Sequence, residues 1–313
     1  MQGEALSLVA ALVTAAHILW IRKGMFQVSP RAAVLMVAGF TVLVFGLLSA
    51  GLLAAGRMPG LNWKGLLFFA GAGILEMTFA RNLFYASIER IGASRGSQVK
   101  TSAVVITAGF SILFLGESPS AFDLLGMGFI VIGAVLLAGE SAGNPTPVNP
   151  PAGSGQSGVS LPGGEAGDAS LSWKRRRLAG WIYGSLAAVF FAGSNVVRGA
   201  GLDHIPSPIL AVFFGALVGA IPMLPWWREI RNLDRGGWQS FALGSTASAA
   251  SQGLAFSGYM LAGVAVATAL YNTAPLFTVL LAYMFFKKYE RITLRLALIG
   301  LLITTGVAFM SLG

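Results

Sequence analysis

Ten apolar runs punctuate this chain, at about 4–22, 32–55, 64–87, 97–116, 121–139, 178–200, 208–227, 238–260, 263–286 and 292–312. Each is close to the roughly 20 residues that a helix needs to cross the hydrocarbon core of a bilayer. A segment in hydrocarbon must satisfy its own backbone N–H and C=O groups, so runs of this length read as helices. Charged residues make up 11% of the chain and hydrophobic residues 55%, whereas a soluble domain carries about 25% charged residues. A water-facing surface cannot be built from this composition. The expectation is therefore an all-α integral membrane protein with ten transmembrane helices, for which the lipid bilayer is an obligatory partner. The first run carries Glu4 and no Lys or Arg before Arg22. It lacks the basic start of a secretory signal and is expected to be retained as a helix.

The net charge of +9 does not point to nucleic acid as a partner. The basic residues lie in small clusters between apolar runs, which is the pattern of topology determinants. Zero cysteines exclude disulfides, thiolate catalysis and cysteine-ligated metals.

The runs fall into two sets of five. Between them, Ser141 to Ser170 is rich in Gly, Pro, Ser and Asn, a composition that buries little apolar surface and reads as a flexible linker. The sequence thus divides into 1–140, a linker over 141–173, and 174–313. The two halves resemble each other. Ile91 to Phe114 aligns without gaps onto Ala262 to Phe285, with Gly92 on Gly263 and Thr107 on Thr278. Both halves end in a Gly-spaced helix, with Gly126, Gly128 and Gly133 in the first and Gly300 and Gly306 in the second. Such residues let helices approach closely. Ser-Pro recurs at the start of the second helix of each half, as Ser29-Pro30 and Ser207-Pro208, where proline suits the first helical turn. With an odd number of helices per half, the second half enters the bilayer from the opposite side. The expected fold is therefore two inverted five-helix repeats, an arrangement characteristic of transporters. Most of the 21 Lys and Arg residues fall in the gaps after odd-numbered helices, which predicts both termini outside and the linker inside.

Specific residues then sharpen the picture. The fourth helix ends in Phe114-Leu115-Gly116-Glu117 before a Gly-rich fifth, and the second half carries Pro275-Leu276-Phe277-Thr278-Val279-Leu280-Leu281. These stretches resemble the EamA-type drug/metabolite transporters. Two departures stand out: Val104 occupies the place of the proline in the first half, and Lys287-Lys288-Tyr289-Glu290 replaces the Gly-Glu ending in the second. The resemblance implies a ten-helix carrier with a central cavity between the halves, often an exporter of amino acids or related metabolites. A small-molecule substrate is thus the implied partner.

Ionisable side chains inside a spanning helix are costly and are functional candidates by default. Glu76, near the midpoint of the third helix, is the deepest charge by sequence. It reads either as a site for protons or a substrate ammonium, or as a structural carboxyl paired to a neighbouring helix. Arg81 lies five residues further on, about 140° around an α-helix, so the two are not expected to share a face. Tyr85 does share the face of Arg81. Arg81 is suited to bidentate binding of a carboxylate or phosphate. His17 and Lys100 fall at a similar depth. Lys100 reads first as a side chain snorkelling to the headgroups, and His17 as a structural histidine or a proton relay. Tyr271, Asn272 and Thr273 form a polar patch before Pro275, the candidate helix break. Trp20, Phe84 and Tyr271 are candidate cavity aromatics.

No phosphate loop, H-E-x-x-H or G-x-S-x-G pattern occurs, so neither ATP-driven pumping nor zinc or serine hydrolysis has its parts. No cofactor, no metal and no enzymatic activity are expected. The alternatives kept open are an uncoupled facilitator, a lipid or drug flippase, and a non-transporting membrane partner.

Overall fold

A computed structural model describes residues 2–110, 120–143, 166–262, 270–285 and 293–310, and among these residues the structure is helical without strands. The helices are α1 Gln2–Gly24, α2 Pro30–Ala54, α3 Trp63–Gly73, α4 Asn82–Ile91, α5 Ala93–Thr101, α6 Ala103–Phe110, α7 Ala121–Gly143, α8 Ala166–Leu202, α9 Pro208–Ala220, α10 Trp227–Arg231, α11 Arg235–Ala262, α12 Ala274–Phe285 and α13 Leu294–Met310. Five stretches are long and apolar enough to cross a membrane: Gln2–Gly24, Pro30–Ala54, Trp63–Ile91, Arg175–Leu202 and Pro208–Arg231. Shorter apolar helices span Ala121–Leu137, Ala274–Phe285 and Leu294–Met310. A wide band of exposed Leu, Ile, Val and Phe, including Leu47, Leu67, Val135 and Leu298, is the surface a polytopic membrane protein turns to lipid.

Local chemistry sets the helix ends. Ser29 and Ser207 cap α2 and α9, their hydroxyls accepting the N–H groups of Ala32 and Leu210 at 3.4 Å, with the following prolines in the first turn. Asp234 caps α11. Its carboxylate accepts the Gly237 N–H at 2.6 Å, and this bond holds the carboxyl below its ordinary range. Helix α8 begins at Ala166, earlier than the apolar run at 178. Hydropathy marks only the part of a helix that meets lipid, and α8 continues beyond that part through Arg175–Arg177. Residues 144–165 of the expected linker, and 111–119, 263–269 and 286–292 of the expected helices and their ends, lie outside the described residues.

Several of the expected continuous helices are interrupted. Between α3 and α4, Ile74–Arg81 winds as a π-helix. The fourth run breaks at Ser102, between α5 and α6, and the ninth at Asn272–Thr273, ahead of α12. The breaks share one construction. The Ser102 hydroxyl donates to the Val99 carbonyl at 2.7 Å and the Thr273 hydroxyl to the Leu270 carbonyl at 2.7 Å. The gapless alignment of the halves superposes these two residue pairs. Pro275, the candidate helix break, sits buried in the first turn of α12, two residues after the interruption.

Helix α1 packs along α11, α3 and α4 along α8, α2 against α9, and α7 against α13. The α3–α8 pair is antiparallel, since Gly201 meets Phe69, Gly184 meets Ser87 and Gly180 meets Ile91. Gly73 lies so near Gly215 that a Cβ would overlap backbone, and Gly126 stands in the same relation to Gly306. These contacts between backbones fix the α3–α9 and α7–α13 crossings.

Candidate functional site

The π-helical turn places the first pair of functional groups. An α-helix would put residues five apart on different faces, but an i→i+5 hydrogen-bonding pattern stacks them. The expectation that Glu76 and Arg81 point apart is thereby corrected. Arg81 Nη2 donates to Glu76 Oε1 at 2.8 Å, and both residues are buried, at 8% exposure each. The Thr78 hydroxyl, within the same turn, donates to the Gly219 carbonyl of α9 at 3.1 Å.

The second oxygen of Glu76 accepts from Arg198 Nη2, on α8. Arg198 reads in the sequence as a charge at the membrane edge, because it lies four residues from the end of its helix; its side chain instead reaches inward. Since α3–α4 and α8 run antiparallel, Arg81 approaches Glu76 from the Ile91 end and Arg198 from the Trp63 end. One carboxylate is therefore held by two guanidinium groups from opposite sides. The pair Glu76–Arg198 also joins the two halves of the chain.

Lys100, expected to snorkel toward headgroups, turns inward. Its ammonium lies 5.3 Å from the centroid of Phe84 and 4.5 Å from that of Phe191, and it interacts electrostatically with both Arg81 and Glu76. The ring faces attract the cation, and Phe84 and Phe191 meet edge to face at 6.1 Å.

Tyr85 is fully buried beside Arg81. Its hydroxyl lies 3.4 Å from His17 Nε2, while His17 Nδ1 is 2.8 Å from the Gly244 carbonyl. A carbonyl can only accept, so Nδ1 carries a proton, and in the neutral ring Nε2 is then the acceptor for the Tyr85 hydroxyl. One turn away on the same face of α1, Thr14 donates to the Tyr271 hydroxyl at 3.3 Å and shares a hydrogen bond with Ser251 of α11. The structure thus brings His17, Glu76, Arg81, Tyr85 and Lys100 into one interior cluster and sets Tyr271 beside it. Asn272 lies at the turn before α12, partly exposed. Trp20 lies under the Lys23 ammonium, which is 5.0 Å from the centroid of its ring. Sequence reasoning missed Arg198, because its place near the end of an apolar run grouped it with the charges at the membrane edge.

Comparison with known proteins bears on the family and the fold. A model of the EamA-like transporter family matches residues 1–139 and 178–312. A curated protein from Sinorhizobium sp., described as an uncharacterized transporter in the cobO 3′ region, is 31% identical over 139 residues, covering 42% of this chain and 93% of that protein. A solved crystal structure superposes with a TM-score of 0.60 at 17% identity, over 99% of this chain and 96% of the other. That likeness concerns the fold alone.

Proposed function

Because the chain belongs to the EamA-like transporter family, we propose that it is a secondary carrier. In this reading it moves a small metabolite, such as an amino acid or a related compound, out of the cell across the cytoplasmic membrane of a prokaryote. Multi-pass membrane transport is the family's activity; the substrate, direction and mechanism are the proposal.

The observation that carries it is the Glu76–Arg198 ion pair, which links the two halves in the protein interior. A buried ion pair is a weak source of stability, so its place between halves that must move past each other favours a working role. The packing supports alternating access around it. The first helix of each half lies against the third helix of the other, the two second helices face each other, and so do the two fifth helices. A two-fold axis relating inverted repeats produces this pairing. The matching interruptions at Ser102 and Thr273 give each half a helix that can bend at the same level.

Proton coupling, if the carrier uses it, belongs to His17 rather than Glu76. Both Glu76 oxygens already accept from arginine, so protonation there requires breaking an ion pair. His17 Nε2 faces the Tyr85 hydroxyl, which can rotate to accept instead of donate when the ring gains a proton, and Arg81 and Lys100 are the charged groups that act on the ring. The test is flux of an amino-acid and metabolite panel in proteoliposomes, with and without an imposed pH gradient, for the native protein and His17→Gln. Gradient-driven flux that becomes gradient-independent in the variant is expected. Absence of flux for every solute would overturn the carrier reading, and gradient dependence surviving in His17→Gln would remove His17 from the coupling.

A further inference from the structure

The interior cluster carries more positive charge than its own residues neutralise. Among the described residues it contains three cations, Arg81, Arg198 and Lys100, against one carboxylate, Glu76. Uncompensated charge in a low-dielectric interior is expensive, and intramembrane charges of this kind mark substrate or ion pathways, where an anionic solute would supply the missing charge. Two donors also stand idle: Arg81 Nε and Arg198 Nε are buried and have no hydrogen-bond partner. A buried donor without an acceptor calls for an explanation. The planar guanidinium fork is built to bind a carboxylate or phosphate bidentately, yet each arginine gives Glu76 a single bond.

We propose that Arg81, Arg198 and Lys100 form the binding site for a solute of net negative charge, recognised through a carboxylate or phosphate oxyanion, with Glu76 as the internal anion that holds the arginines in place until the solute arrives. The proposal rests on the carrier reading and names its substrate class. Arriving between the two arginines, the oxyanion takes the unused Nε donors, while the Lys100 ammonium remains seated between Phe84 and Phe191 as the third positive charge. Tyr85, beside Arg81, adds a neutral hydroxyl on the His17 side. Because Arg198 belongs to one half and Arg81 and Glu76 to the other, a solute bound between the arginines replaces the ion pair that joins the halves. The tie between the halves then passes from Glu76 to the bound solute and leaves with it.

The experiment is thermal stabilisation of the full-length protein in detergent at constant ionic strength, titrated with succinate, glycerol phosphate, glycine and choline as probes. A ligand that binds only the folded protein raises its melting temperature with concentration. Succinate or glycerol phosphate is expected to stabilise, with choline inert and glycine weaker than either anion. The anion that acts distinguishes a carboxylate from a phosphate. Arg198→Gln is expected to weaken anion binding about tenfold or more. Should that variant fail to fold, Arg198→Lys, which keeps the charge and loses the fork, is expected to weaken binding less. Equal response to choline, no response to either anion, or anion binding unchanged in Arg198→Lys and Arg198→Gln would each overturn the site. The readout is independent of flux: flux of cationic or neutral solutes without anion binding leaves the carrier reading standing and removes this one, and anion binding without flux does the reverse.

Discussion

Glu76 shows how much a single side chain depends on its surroundings. Alone in an apolar helix, an ionised carboxylate would be prohibitive; flanked by Arg81 and Arg198, it is the acceptor that makes two buried guanidinium groups tolerable. Removing one partner of such a group is costly because charge is left behind, on the order of 3–5 kcal/mol. Glu76→Gln is therefore expected to lower the unfolding temperature sharply. Glu76→Gln with Arg198→Gln should lose less than the two single changes summed, a coupling on the order of 0.5–3 kcal/mol. A double-mutant cycle read by unfolding in detergent measures it, and additive losses would mean that the pair does not form. Glu76 and Arg81 were legible in the sequence as rare intramembrane charges. Their contact was not, because the face argument assumed 3.6 residues per turn where the chain winds with one residue to spare.

At the scale of the element, that spare residue is the most testable feature. Deleting Phe79, a 44% exposed ring stacked on Phe190 at 5.1 Å, leaves Glu76 and Arg81 four apart, which in an α-helix still places them on one face. The deletion is expected to preserve folding and flux at the cost of the Phe79–Phe190 contact. Inserting one Ala after Thr78 turns α4 by about 100°, carries Tyr85 away from His17, and is expected to abolish flux. Equal effects of deletion and insertion would deny the π-helical turn any positioning role. The interruptions at Ser102 and Thr273 teach a related lesson. Proline at 275 drew attention to the second of them, and nothing comparable stands at Val104 in the first. The residues that both breaks share are a serine and a threonine returning a hydrogen bond to a carbonyl three residues back, an ordinary side-chain habit that sequence patterns do not flag.

At the scale of the whole molecule, the polar ties between the two halves include Glu76–Arg198, His17–Gly244, Thr14–Ser251 and Ser194–Ala72. The absence of native cysteine makes one of these directly testable. Thr14→Cys with Ser251→Cys places two thiols where the hydroxyls now share a hydrogen bond. Oxidation is expected to form a disulfide that locks α1 to α11 and stops flux, with recovery on reduction. Flux that continues after complete cross-linking would show that this interface does not move during transport.

Length and hydropathy determined the membrane class of this protein, and internal alignment its division into two similar halves, because both are recorded along the chain one residue at a time. The scarcity of charge in the apolar runs marked Glu76, Arg81, His17 and Lys100 as candidates for the same reason. Which of them meet was decided by the tertiary structure. The Glu76–Arg198 contact joins residues 122 positions apart and exists only because α3 and α8 pack antiparallel through small residues. Lys100 faces inward because two rings on different helices, Phe84 and Phe191, converge on it. Periodicity describes a helix in isolation, whereas a cluster of one carboxylate and three cations depends on how several helices cross.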